Sequence, residues 1–215
     1  MDFVLVEKPD SLASFRQIER IYLDSFPVSQ IRPNKMIIRM LEFDPNYYLL
    51  VAREDYFIVG FSLLYAFNEL NAAFLDFMAI DKTYRGRSIG SELFRYTLNV
   101  SRRLVVNSIG VFFEVERESP LEYDMEGFKY RRVRFYRRHG AKVLENVHYM
   151  LPDLHGGEPE DTYLMIIPTR EIAYLERSFV FRAIKSIYLS MYHNCDELDL
   201  LDFTIDCLPP RIRLT

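Results

Sequence analysis

Between Leu75 and Ser91 an apolar run, Leu75-Asp76-Phe77-Met78-Ala79-Ile80, gives way to Asp81-Lys82-Thr83-Tyr84 and then to Arg85-Gly86-Arg87-Ser88-Ile89-Gly90-Ser91. A strand that breaks into a basic, glycine-containing turn and then into a helix makes an anion cradle. Its backbone N–H groups point outward at the positive end of a helix dipole, beside two arginines, and such a cradle suits a pyrophosphate. A second set of chemistry-bearing residues is Glu114, Glu116 and Glu118. Spaced by two, they share one face while the strand persists, and acids gathered on one strand face call for a wet face.

Other phosphate loops do not match. A P-loop requires Lys followed by Ser or Thr after its second glycine, and a dinucleotide fold requires three spaced glycines and a later acid for the ribose. Here Gly90 is followed by Ser91-Glu92.

The elements around these residues follow from periodicity. Phe3 to Glu7 is a short strand, and Asp10-Ser11 caps a helix whose apolar positions are Leu12, Phe15, Ile18 and Tyr22. Asn34 to Phe43 is a second helix, ended by Asp44-Pro45-Asn46; Tyr47 to Ala52 and Tyr56 to Tyr65 are strands of a hairpin; Ala72 to Ile80 is the strand before the basic turn. Ile89, Leu93, Tyr96 and Val100 form the inward stripe of the helix that starts at the turn. Ile109 to Glu116 is a strand, Arg132 to His139 a short helix ended by Gly140, and Lys142 to Met150 and Tyr163 to Ile167 the last strands. Thr169 to His193 is helical in pattern with two apolar faces, one through Ile172, Leu175, Phe179, Ala183 and Ile187, the other through Phe181, Ile184, Tyr188 and Tyr192.

Composition sets the outer bounds. The 215 residues, 49% hydrophobic, can fill one substantial core, and a net charge of −4 gives no footprint for nucleic acid or an anionic membrane. Two cysteines, Cys195 and Cys207, have no matching set for zinc, and the four histidines lack paired spacing, so no metal is expected. The N-terminus has no basic segment before an apolar one, and no apolar stretch approaches the roughly 18 residues of a membrane span. A soluble, unprocessed protein of the reduced cytoplasm is the expectation.

Arg85-Gly86-Arg87-Ser88-Ile89-Gly90 resembles the acyl-CoA pyrophosphate loop of the GCN5-related N-acetyltransferases (GNAT), with Ser88 where the first glycine usually stands. Arg134-Phe135-Tyr136-Arg137-Arg138-His139-Gly140-Ala141 resembles the same family's Phe-Tyr, three residues, Gly-Phe signature, with Ala141 in place of Phe. The order strand, two helices, three strands, helix, strand, helix, two strands resembles that of the family over residues 2 to 168. The resemblance implies an α/β fold, with a mixed, mostly antiparallel sheet flanked by helices. A GNAT domain over residues 1–168 would be followed by a C-terminal helical extension over 169–215, packed on the domain or on a partner; a homodimer through that helix is one form this could take.

The resemblance also implies a chemistry. Acetyl-CoA is the cosubstrate, and Arg85, Gly86, Arg87, Ser88, Ile89, Gly90 and Ser91 hold its pyrophosphate. Met78, Ala79 and Ile80 line the pantetheine arm and stabilise the oxyanion with their backbone N–H groups. When an amine attacks the thioester, Tyr136, a phenol with an ordinary pKa of about 10, can protonate the departing thiolate. The amine is mostly protonated at neutral pH, so a carboxylate must accept its proton. Glu114-Val115-Glu116-Arg117 resembles the corresponding segment of ribosomal-protein alanine acetyltransferases, which puts Glu114 first as base, with Asp76 next and Glu116 open. The acidic and aromatic connection from Glu118 to Tyr130, with Glu122, Asp124 and Glu126, departs from that group and suits a small cationic amine. A protein or peptide acceptor, and a non-catalytic acyl-CoA-binding module, are the alternatives.

Overall fold

The computed structural model describes residues 1–117, 128–192, 202, 204 and 206–215. The acidic connection from Glu118 to Glu126, as well as His193 and Cys195, lies outside the described residues. The fold class is mixed α/β, a mostly antiparallel sheet flanked by helices. The chain forms two compact units, Met1–Ser108 and Ile109–Thr215.

In the first unit, β1 (Asp2–Val6), β2 (Tyr47–Glu54), β3 (Phe57–Phe67) and β4 (Ala72–Ile80) pair antiparallel in that order. Helices α1 (Lys8–Ser25), α2 (Asn34–Phe43) and α3 (Ile89–Leu104) accompany them. α1 opens before the expected caps at Asp10-Ser11, with Pro9 in its first turn, where a missing N–H costs nothing. Its predicted stripe is buried at Phe15, Ile18 and Tyr22. Tyr22 meets Phe77 of β4 edge-on, 5.0 Å between ring centroids. The stripe of α3 is likewise buried at Ile89, Leu93 and Val100, while Tyr96 accepts the Leu5 N–H at 2.9 Å. Ile89 and Leu93 pack with Ala52 of β2 and Val59 of β3, and Met78, Ile80 and Tyr84 flank the cluster. The first turn of α3 is thereby fixed over the end of β4.

In the second unit, β5 (Gly110–Glu116) pairs antiparallel with β8 (Glu160–Pro168), and β8 pairs with both β6 (Lys142–Val143) and β7 (Tyr149–Leu151). The single strand expected over Lys142 to Met150 is therefore two; Asn146, at φ 59°, turns the chain between them, a conformation Asn tolerates better than most residues. Helix α4 (Phe128–Arg138) ends near Gly140, whose φ of 88° suits glycine, as expected.

The region after Pro168 differs most from expectation. The helix α5 runs only over Arg177–Met191, because Tyr174–Glu176 is a strand, β9, paired with β10 (Arg211–Arg213). Leu175 is buried opposite Ile212, and the Arg211 guanidinium lies 4.6 Å from the centre of the Tyr174 ring. That pairing joins residues far apart in sequence, which local periodicity does not register. α5 buries one face, Val180, Ala183, Ile184, Ile187, Tyr188 and Met191, where two were expected; Phe179 and Phe181 are half-buried. The chain ends pinned to β6, with the Val143 N–H donating to the Thr215 carbonyl at 2.7 Å.

Candidate active site

The basic turn is built by Asp81. Its carboxylate accepts from the Thr83 N–H at 2.8 Å and the Thr83 hydroxyl at 2.6 Å, and Arg20 donates to its other oxygen at 2.6 Å. The two Thr83 bonds hold the Asp81 carboxyl below its ordinary range against a smaller opposing effect of burial, with lesser help from the charges of Arg20 and Lys82. The short 3-10 turn Lys82–Tyr84 that follows delivers the chain to Arg85, Gly86, Arg87 and Ser88, all exposed. Arg85 donates to the Ile80 carbonyl at 3.0 Å and to the Ser25 hydroxyl at 3.2 Å, and the Arg87 guanidinium lies 5.2 Å from the centre of the Tyr84 ring.

Gly86 has φ 80° and Ser88 φ 63°. The turn thus requires a left-handed residue where glycine is usual, and Ser88 supplies it at a conformational cost. Ser88 is the N-cap of α3 but makes no side-chain cap bond, and its carbonyl accepts the first helical bond, from the Glu92 N–H at 3.1 Å. The N–H groups of Ile89, Gly90 and Ser91 precede that bond and have no acceptor within the helix. An anion at this end meets those donors and the helix dipole. A Cβ on Gly90 would stand 3.5 Å from Ile80 Cγ1, an ordinary contact, so the approach of α3 to β4 does not itself exclude a side chain there.

On β4, Met78, Ala79 and Ile80 pair with Ser62, Phe61 and Gly60 of β3. Ladder alternation directs every second amide to β3 and turns the others away. Earlier in the strand the register slips: Leu63 faces Phe77 and Leu64 faces Leu75, so Asp76 is the extra residue of a β-bulge. Its side chain is 2% exposed and meets the Arg32 guanidinium in a two-point ion pair, with 2.7 Å between Arg32 Nη2 and Asp76 Oδ1. The Tyr47 hydroxyl donates to Asp76 Oδ2 at 2.5 Å. Arg32 is itself buried; its backbone N–H donates to the Tyr22 hydroxyl at 2.7 Å, and its guanidinium is 5.1 Å from the centre of the Phe77 ring. Burial and the neighbouring Asp76 raise the Tyr47 phenol well above its ordinary pKa. Asp76 is placed as half of a buried ion pair, and its acceptor positions face Arg32 and Tyr47.

Toward the end of β5 the two faces part: Phe113 and Val115 are buried, while Glu114 and Glu116 are half-buried on the opposite face. The register carries that face across the strands, since Glu114 stands opposite Leu164, Glu116 opposite Thr162, and Thr162 opposite Tyr149. The hydroxyl of Tyr149 accordingly reaches Glu114 Oε1, and the Tyr192 hydroxyl, just past α5, donates to Glu114 Oε2 at 2.5 Å. Burial first, then Glu114, pushes the Tyr149 phenol well up. Tyr188 completes the group, its ring 5.2 Å from that of Tyr149 and its hydroxyl donating to the Met150 carbonyl at 2.6 Å. Glu116 is paired with Arg132 of α4 at 2.9 Å.

Tyr136 projects from α4 onto the other face of β5, its ring 4.4 Å from that of Phe113. Burial raises its phenol above the ordinary pKa, with Arg132 opposing, so it stays protonated through neutral pH. Glu114 and Tyr136 thus flank β5 from opposite sides. Arg32, Tyr47, Tyr149 and the hydroxyl of Tyr192 were not foreseen as parts of either carboxylate's surroundings. Only Tyr192, on an apolar helical face, carried any signal. Among the described residues no group of three or more His, Cys, Asp or Glu is placed to hold a metal ion, and no helix is long and apolar enough to cross a membrane.

Residues 15–119 match the model of the acetyltransferase (GNAT) family. No curated protein matches the chain. Among solved structures, a GNAT-family protein from Bacteroides thetaiotaomicron superposes with a TM-score of 0.67 at 20% identity, over 89% of this chain and 97% of that one. An aminoglycoside 6'-N-acetyltransferase complexed with coenzyme A gives 0.57 at 14% identity, over 80% and 100%. The ribosomal-protein-S18-alanine N-acetyltransferase from Escherichia coli gives 0.56 at 15% identity, over 80% and 95%. At such identities the superpositions speak to fold alone, and it is the family match that identifies residues 15–119 as part of a domain of the acetyltransferase (GNAT) family.

Proposed function

We propose that the protein is an acetyl-CoA-dependent N-acetyltransferase that moves the acetyl group directly onto a primary amine of a small molecule. The observation that carries this reading is the exposed turn Arg85 to Ser88 at the uncapped N-terminus of α3, lying within the matched family domain. Such a cradle offers three backbone donors and two cations to the pyrophosphate of CoA. Of Met78, Ala79 and Ile80, the residues whose amides turn away from β3 serve the pantetheine arm and the oxyanion.

In the reaction, the ammonium gives one proton to Glu114, which passes it on to solvent, and the neutral nitrogen forms a bond to the acetyl carbon; the tetrahedral intermediate loses the second nitrogen proton to solvent, the carbon–sulfur bond breaks, and the thiolate takes the phenol proton of Tyr136. Solvent restores that proton. The opposed positions of Glu114 and Tyr136 about β5 favour these assignments, because nucleophile and leaving group occupy different sides of a tetrahedral intermediate. A small acceptor is supported by the enclosure of Glu114 by tyrosines from β7 and the end of α5. A peptide acceptor is the second reading, since the superposed structures include, by their names, one enzyme for an aminoglycoside and one for a ribosomal protein. The proposed setting is the reduced cytoplasm.

The test is release of free thiol from acetyl-CoA in the presence of a panel of amines and peptides. Absence of CoA binding overturns the reading, and binding without turnover on any acceptor leaves a binding module. Gly90→Asp should weaken CoA binding by on the order of tenfold or more, measured by calorimetry, while leaving the melting temperature nearly unchanged. The Cβ has room, an acid in the first turn suits the helix dipole, and the penalty is charge beside the pyrophosphate. Unchanged affinity would remove the pyrophosphate from this turn.

A further inference from the structure

We infer that Tyr149 and Tyr192 are positioning residues for Glu114, a clamp that fixes the carboxylate for its work and whose donors lie beyond the matched residues 15–119. The inference rests on the proposed role of Glu114 as base. Glu114 falls within residues 15–119, but both hydroxyls that hold it come later in the chain. Each takes a different oxygen, Tyr149 the Oε1 and Tyr192 the Oε2, so the carboxylate is fixed in both reach and plane. The donors are themselves set rigidly. Tyr149 is fully buried in β7, and Tyr192 is nearly so, its backbone N–H donating to the Tyr188 carbonyl at 2.9 Å. Tyr188 packs against both rings, at 5.2 and 6.1 Å between centroids.

The donors are neutral phenols, which favour the ionised carboxylate and add no charge of their own. The groups that bear on Glu114 include Tyr149 on β7, Tyr188 on α5, Tyr192 after it, and Glu116 with its partner Arg132 along the same face. Residues beyond the matched 15–119 thereby tune the base of this particular chain.

The experiment follows the side-chain carboxyl of Glu114 by 13C NMR titration, the resonance being assigned with Glu114→Gln. Tyr149→Phe and Tyr192→Phe each delete one donor and keep the ring, and each should raise the titration midpoint by on the order of half to one pH unit. Tyr188→Phe is the control: its hydroxyl serves the Met150 carbonyl and neighbours Thr204, and makes no bond to Glu114 Oε1 or Oε2 as the other two do, so it should lower stability and move the midpoint less than either. If neither Tyr149→Phe nor Tyr192→Phe moves the midpoint more than Tyr188→Phe does, the clamp is overturned. In the same variants the acid limb of kcat/KM for the best amine should move in step with the NMR midpoint. A limb that stays fixed while the midpoint moves removes Glu114 as the base and leaves the clamp standing, so the two readings fail separately.

Discussion

Asp76 on β4 and Glu114 on β5 are both carboxylates on strands, both named by the sequence as candidate bases, and they are held in opposite ways. Asp76 is paired at two points with the buried guanidinium of Arg32 and capped by Tyr47. Glu114 receives two phenols, is half-buried, and has a paired acid, Glu116, two residues along. A buried charge opposite another buried charge belongs to the scaffold: it fixes the bulge of β4 against the segment between α1 and α2. The two phenols on Glu114 bring hydrogen bonds without a charge of their own. The donors that hold them, a guanidinium in one case and phenols in the other, rather than the residue type, separate the two carboxylates.

The largest effect expected from this contrast is on stability at the first carboxylate. Asp76→Asn leaves Arg32 buried without its partner, which should cost about 3–5 kcal/mol, read as a fall in denaturation midpoint without a change of slope. The double change Arg32→Met with Asp76→Leu should recover most of that loss. Equal damage from the double change would mean that the pair does more than satisfy itself. Glu114→Gln should show the reverse: a small change in midpoint, because an amide oxygen can still accept from a neutral phenol, and a fall in kcat of about 10²–10⁴-fold. If Glu114→Gln keeps full turnover while Asp76→Asn folds and loses it, the roles assigned to the two carboxylates must be exchanged.

Tyr136→Phe comes next in size. The residue is buried against Phe113, so the ring is retained and only the hydroxyl is lost. Turnover should fall by about 10²-fold with the dissociation constant of CoA unchanged. The raised phenol of Tyr136 sets the sign with pH: the acid form persists through neutrality, so activity should not decline from loss of this proton until pH passes above the ordinary phenol range of about 10. A full rate in Tyr136→Phe makes the tyrosine a packing residue of α4.

What the sequence made legible was local. Apolar spacing located α1, α2 and α3, the hairpin of β2 and β3, and β4 with its basic turn, because each of those patterns lies within one element. The partners of Asp76 and Glu114 were not legible, since each arrives across a long interval: Arg32 is 44 residues from Asp76, and Tyr192 is 78 from Glu114. The start of α5 was misplaced for the same reason, β9 being defined by β10 near the other end of the extension. Spacing by two did show that Glu114 and Glu116 share a face. It could not show that Arg132 would take one and tyrosines the other.

Ser88 offers the smallest effect and the finest test of how the cradle is built. Its φ of 63° costs an L-residue about 1–2 kcal/mol, and glycine would avoid that cost while losing some backbone entropy in the unfolded chain's favour. Ser88→Gly should therefore stabilise the protein by about 1 kcal/mol, or about 2–4 °C in Tm. The same variant separates two ways of holding pyrophosphate. If the backbone N–H groups of the turn and of Ile89 to Ser91 carry the contact, CoA should bind Ser88→Gly as well as the parent. Should affinity fall severalfold while the melting temperature rises, the serine hydroxyl is a phosphate ligand, and its retention in a strained conformation has a functional cause. Loss of both stability and affinity would mean that the left-handed turn is held by its surroundings and not by the residue that occupies it.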